Sequence, residues 1–274
     1  MEANTYLITG VSSGFGHEMA KQLLEAGKTV IGTVRTKDKA ADLITAHPDT
    51  FDCRLLDVTD VPAVQAAVDD AWARHGRIDV VVSNAGYGLF GCAEELSDEE
   101  IDRIIATNLT GSIQLIKSAL PHLRAQGGGR IVQMSTYGGQ VAYAANSMYH
   151  ATKFGIEGFC EAVAQEVAQF NIGMTIVEPG GARTEFRYGS ARVADLMPEY
   201  ESCHGFLNML GLAPGDPVRM CERIIESVGQ EPAPLRMVLG SRALSETLRV
   251  TRERLAAFEG MEELAASADF PEGE

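Results

Sequence analysis

The 274-residue chain has no apolar run near the ~20 residues that a membrane-spanning helix needs. Its opening, MEANTYLITG, lacks a basic region, a long apolar stretch and a cleavage site, which predicts a cytoplasmic protein. Positive charge is scarce: 23 Lys and Arg face 38 Asp and Glu, a formal net charge of -15. Such a surface repels polyanions, so nucleic-acid backbones and anionic membranes are not expected partners, while a small-molecule site stays open. Cys53, Cys92, Cys160, Cys203 and Cys221 contain no CxxC pair. Neither a disulfide framework nor a zinc site is indicated; they read as buried free thiols, and no metal is expected. Internal repeats and low-complexity blocks are absent too, which removes solenoids and linkers.

What the chain does have is 45% hydrophobic residues, enough for one large core in a single domain spanning 1–274. Short β-branched runs predict strands at Tyr6–Thr9, Thr29–Val34, Arg54–Leu56, Val80–Ser83, Arg130–Met134, Met174–Val177 and Met237–Leu239. Helical spacing lies between them at His17–Ala26, Val61–His75, Glu99–Leu123 and Met148–Phe170, with a further helix at Pro217–Val228. The β-α-β-α order predicts an α/β fold, a doubly wound parallel sheet of Rossmann type. Gly181–Asp216 breaks the rhythm and reads as a substrate lid, because a long unpatterned loop in a compact domain is usually functional. A C-terminal helical extension, about 241–274, ends in a frayed acidic stretch.

The stretch TYLITGVSSGFGHEMAKQLLEAG sets Gly10, Gly14 and Gly16 between an apolar strand and an amphipathic helix. Glycines there let the backbone turn tightly and approach a pyrophosphate, whose charge the helix N-terminus favours. The spacing is GxxxGxG instead of GxGxxG, and TGVSSGFG resembles the TGxxxGxG signature of the short-chain dehydrogenase/reductase family. The resemblance continues in order through LDVTD at Leu56–Asp60, NAGYG at Asn84–Gly88, Asn108 in ATNLTGS, YHATK at Tyr149–Lys153 and EPGGART at Glu178–Thr184.

That resemblance implies a nicotinamide cofactor held by Gly10, Ser12, Ser13, Gly14, Phe15 and Gly16, with Asp57 on the adenine edge and Val58 beside it. It places the turn Asn84-Ala85-Gly86 near the cofactor ribose, Pro179 and Gly180 beneath the nicotinamide, and Thr184 on its carboxamide. Ala182 stands where the family usually has valine. An NAD site commonly carries an acid at the end of the second strand, but that position is Val34, and Arg35 follows. A guanidinium there suits the 2′-phosphate of NADP, so NADP(H) is expected over NAD(H), with Lys37 and Lys39 adding positive potential.

Reducing a ketone needs a hydride on carbon and a proton on oxygen. A free tyrosine has a pKa of about 10, and an adjacent ammonium favours its phenolate. Lys153, four residues after Tyr149, falls on the same helix face. In the family a serine thirteen residues before the tyrosine binds the substrate oxygen; at that place this chain has Thr136. Ser135 is one residue off, and neighbours on an extended strand point to opposite faces, so Thr136 is the candidate. Its hydroxyl keeps a donor and acceptors, while the added methyl restricts χ1. By the resemblance, Asn108 holds a water beside the lysine. His150 would point about 100° around the helix from Tyr149 and reads as structural or surface-exposed.

The expected activity is hydride transfer between NADP(H) and a ketone/secondary-alcohol pair, with Tyr149 as general acid/base. The alternatives are a nicotinamide-dependent epimerase or dehydratase, and a non-catalytic nucleotide-sensing protein, which the Ser-to-Thr change alone favours. Tyr87, Leu89, Phe90, Gln140, Tyr143, Met148, Phe186, Tyr188 and Leu196 are candidates for a largely apolar substrate pocket. The resemblance further implies a homodimer or homotetramer built on the two long helices.

Overall fold

The computed structural model describes residues 3–185, 191–209 and 213–270. The chain runs β1 (Thr5–Thr9), α1 (Gly14–Glu25), β2 (Thr29–Val34), α2 (Ala41–Ala46), β3 (Phe51–Leu55), α3 (Val61–His75), β4 (Val80–Ser83) and β5 (Leu89–Phe90). It continues through α4 (Asp98–Ile104), α5 (Gly111–Ala125), β6 (Gly129–Met134), α6 (Ser147–Val167), β7 (Ile172–Pro179) and β8 (Arg192–Val193). After it come α7 (Pro217–Ser227), β9 (Arg236–Leu239), α8 (Ser241–Glu259) and α9 (Glu262–Ala266).

Seven strands form one parallel sheet in the order β3-β2-β1-β4-β6-β7-β9. Strand residues alternate between two cores, as the pleat requires. Leu7, Ile31, Val81, Ile131 and Ile176 pack against α3, α5 and α6 through Val64, Trp72, Leu115, Ile116 and Ile156. Ile8, Val30, Val82, Val132 and Val177 face the other way, onto Met19 and Leu23 of α1 and Cys221 and Ile224 of α7. Burial on both faces is why these strands read as short continuous apolar runs. The order reverses between β1 and β4, so a crevice opens beyond their carboxyl ends. No described helix is long and apolar enough to cross a membrane.

One expectation is corrected, and two features add to the reading. The predicted helix Glu99–Leu123 is interrupted by a π-helical segment, Ile105–Thr110, between α4 and α5. Asn108 lies in it and is 1% exposed, bonding both ways to the Tyr87 backbone; that tertiary tie holds it out of ordinary helical register. Within the segment read as a lid, β8 pairs in parallel with β5, and Pro198–Met209 forms a 3₁₀ helix. The short helix α2 has no counterpart among the predicted elements, since six residues carry too little periodicity.

Candidate active site

The end of β1 and the start of α1 are joined by a turn whose shape depends on glycine. Gly10 has φ +74° and Gly14 φ +60°, conformations open to glycine and strained for other residues. A side chain at Gly16 would overlap the Gly10 carbonyl and the Asn84 amide. Asn84 locks the turn from β4: its Nδ2 donates to the carbonyls of Thr9 at 2.9 Å and Gly10 at 3.0 Å. Thr9 Oγ1 in return accepts from the backbone N–H groups of Asn84 and Ala85 at 3.0 and 3.1 Å. Ser13 caps α1 by position, yet no side chain bonds the first N–H groups and no acid sits in the first turn. Unpaired donors beside a cleft at a helix N-terminus suit a diphosphate, so the residues present fit a dinucleotide.

The crevice is a cavity of about 1430 Å³. Gly10, Ser12, Ser13, Gly14, Phe15, Arg35, Asp57, Val58, Asn84, Ala85 and Gly86 line one part of it; Pro179, Gly180, Ala182 and Thr184 line another. Asp57 Oδ1 accepts from Thr59 N–H at 3.0 Å and Thr59 Oγ1 at 2.8 Å, and these bonds hold its carboxyl below the usual range. Val34 closes β2 and is 2% exposed, so no acid stands at that position, and Arg35 after it is exposed at the rim. Arg103 of α4 joins the same wall, a residue sequence reasoning missed because nothing local marks it.

Tyr149, Lys153 and Thr136 all line the cavity. Tyr149 is 8% exposed and stands against Phe90, ring centroids 6.4 Å apart. Lys153 Nζ lies 5.9 Å from the Tyr149 ring centre and donates to the Met134 carbonyl at 2.9 Å. Burial pushes the Lys153 ammonium down to about 8, against the pull of Glu157 and Cys160. Thr136 Oγ1 donates to the Pro179 carbonyl at 3.2 Å and accepts from Gly138 N–H at 3.3 Å, long bonds that leave the hydroxyl open to another partner. Ser135 lines the cavity too, so opposite facing along the strand does not keep it from the wall; what sets it apart is that its Oγ donates to the buried Glu157 Oε1 at 2.5 Å, and Glu157 does not line the cavity.

Other side chains fall elsewhere. Asn108 does not reach the wall, because both halves of its amide serve Tyr87. Gly16 lies under the turn without lining the cavity. His150 is buried: its Nδ1 meets the Gly138 carbonyl at 2.6 Å and its Nε2 accepts from Tyr143 N–H at 3.3 Å, pinning the loop that carries Thr136. Of the proposed pocket residues, Tyr87, Phe90 and Tyr143 line the cavity. Leu89 is instead a core residue, Met148 packs on that core, Gln140 bonds Glu178, and Leu196 is exposed away from the wall. Phe186 and Tyr188 lie outside the described residues.

A family model described as short chain dehydrogenase matches residues 4–192. The chain is 32% identical over 269 residues to "Oxidoreductase BOA17" of Botryotinia fuckeliana, covering 96% of this chain and 98% of that one. A solved short-chain dehydrogenase from Streptomyces avermitilis matches with a TM-score of 0.93 at 36% identity, over 98% of this chain and all of that one. The structure of ElxO with NADP bound matches with a TM-score of 0.74 at 25% identity, over 89% and 99%. With this match spanning the glycine turn, Asn84 and the Tyr149–Lys153 helix, the chain belongs to the short-chain dehydrogenase family and is an oxidoreductase of that family.

Proposed function

We propose that the protein transfers hydride between NADP(H) and a ketone/secondary-alcohol substrate, with Tyr149 as general acid and base. The observation that carries this reading is the meeting of Tyr149, Lys153 and Thr136 on the wall of the same cavity that the uncapped glycine turn enters. The bound nicotinamide supplies or accepts the hydride. Tyr149 Oη gives its proton to the substrate oxygen in reduction and takes it back in oxidation. Lys153, a buried ammonium beside the tyrosine ring, favours the phenolate that remains. Thr136 Oγ1 donates to the same substrate oxygen, leaving the Pro179 carbonyl to do so. Asn108 acts by position, fixing the Tyr87 backbone beside the Asn84-Ala85-Gly86 turn.

Arg35 at the rim, the absence of an acid at the end of β2, and the NADP-bound relative support NADP(H) over NAD(H). The test follows NADPH and NADH oxidation across aliphatic, aromatic and steroid-like ketones. NADPH should give the higher kcat/KM, and Arg35→Asp should reverse the order. A parent enzyme preferring NADH would overturn the cofactor assignment. Tight cofactor binding with no turnover of any carbonyl would overturn the reaction.

A further inference from the structure

The 3₁₀ segment Pro198–Met209 is fastened to the body by a cluster that hydride transfer does not use. Glu95 ends a short turn, Ala93–Glu95, and its side chain is wholly buried. One carboxylate oxygen accepts from Cys92 N–H at 2.6 Å; the other accepts from Met197 N–H at 2.7 Å and meets His204 Nε2 at 2.8 Å. The Cys92 sulfur, the Glu95 carboxylate and a His204 ring nitrogen lie within 4.8 Å of one another. The Cys203 thiol is a side-chain neighbour of the Cys92 thiol. Two thiols far apart in sequence, one on the body beside Glu95 and one on the fastened segment beside His204, are thus neighbours. Cys160 and Cys221 sit instead in the two separate cores.

Access differs between the pair. Cys203 is partly exposed and lines the cavity, whereas Cys92 is 8% exposed and does not. We propose that Cys92 and Cys203 form a reversible disulfide that locks the 198–209 segment to the body, with a hydroperoxide as oxidant. Hydrogen peroxide entering the cavity meets the Cys203 sulfur, its O–O bond breaks, and a sulfenic acid and one water form. The Cys92 sulfur then attacks the Cys203 sulfur, the S–S bond forms, and the S–O bond breaks to release a second water. Two thiols are oxidised by two electrons and one peroxide is reduced to two waters. Loss of water contact, with Cys203 and Glu95 adding to it, pushes the Cys92 thiol up to about 11, so its proton moves only as the S–S bond forms and leaves on the departing oxygen as part of that second water.

The test treats the full chain with hydrogen peroxide, blocks free thiols and maps peptides without reduction. A Cys92–Cys203 linked peptide that dithiothreitol removes is expected. Proteolysis within 198–209 should slow at least ~10-fold on oxidation, because the segment opens less often, and regain its rate on reduction. Cys92→Ala and Cys203→Ala should each abolish the linked peptide and the protection, with unchanged circular dichroism. Retention of both free thiols would overturn the proposal, as would Cys203 halting at sulfinic acid or pairing with Cys53. Stoichiometric zinc on the reduced protein that blocks oxidation would overturn it as well, by making the cluster a metal site. The linked peptide in the parent protein decides the matter even if a variant folds poorly.

Discussion

Thr136 and Ser135 show how much one residue of register decides. Both sit where β6 ends and both line the cavity, yet Thr136 Oγ1 makes two long bonds while Ser135 Oγ is held closely by Glu157. Substituting valine keeps the shape and removes the donor, so Thr136→Val should lower kcat roughly a hundredfold or more. Thr136→Ser, which keeps the hydroxyl and frees χ1, should stay within roughly tenfold of the parent. Tyr149→Phe removes the proton itself and should lower kcat by ~10²–10⁴ while cofactor binding persists. Single-turnover rates with a saturating cofactor separate these outcomes, and full activity in Thr136→Val would return the role to Ser135. His150 gives a pH signature at the same loop. Burial lowers its pKa from 6.5, opposed by the bond to Gly138, so the folded ring stays neutral where the unfolded chain protonates. The unfolded state then binds more protons, and stability should fall as pH drops through and below 6.5. Urea midpoints between pH 8 and 5 read this, and His150→Gln should flatten the slope. Counting back from Tyr149 by the family's spacing singled out Thr136, and its place on the cavity wall with Tyr149 and Lys153 was legible to that extent. Gln140 was not, because its partner Glu178 is brought close only by the sheet.

Elements were legible where burial or punctuation leaves a local mark. The parallel strands announce themselves as apolar runs, and Asp60 and Asp216 cap α3 and α7 just ahead of Pro62 and Pro217. The π segment was not legible, since its cause is a bond to Tyr87 on another element. A charged cluster joining α6, β7 and β9 was equally hidden. Arg236 Nη1 donates to Glu157 Oε2 at 2.5 Å and Glu178 Oε1 at 2.6 Å, and its Nη2 to Glu161 at 2.8 Å. Glu157 and Glu178 are 2% and 0% exposed, and Glu157 also holds Ser135, so the cluster braces the strand end that carries Thr136. Arg236→Met would leave these carboxylates buried without their cation, destabilising the fold by about 3–5 kcal/mol. Burial already raises the Glu157 pKa, and losing Arg236 raises it further. The folded variant then binds protons more readily than the unfolded chain, so it should regain stability as pH falls below neutrality. Urea midpoints at pH 7.5 and 5.5 check both parts; a variant as stable as its parent at pH 7.5 would mean the cluster is solvated in solution.

At the scale of the whole molecule, the cavity is where otherwise separate parts of the fold meet. Its wall takes residues from the ends of β1, β2, β4, β6 and β7, from α4, α6 and α8, and from the 198–209 segment. A dinucleotide in this space touches elements that pack into opposite cores on the two faces of the sheet. Such a ligand binds the folded chain and not the unfolded one, so at a hundred times its dissociation constant it adds about 2.7 kcal/mol to stability. For a domain of this size that raises the melting temperature by roughly 5–10 °C. The net charge of -15 opposes an anionic ligand at long range, so discrimination rests on local cations such as Arg35 at the rim. Melting curves with equal concentrations of NADP⁺ and NAD⁺ should therefore show the larger shift for NADP⁺, and Arg35→Asp should shrink that shift while sparing the one from NAD⁺. Gly16→Ala, which forces the glycine turn against Asn84, should lose both shifts. Equal shifts from the two nucleotides on the parent protein would remove Arg35 from the reading of the 2′-phosphate, while loss of both shifts in Gly16→Ala would still seat the nucleotide at the glycine turn.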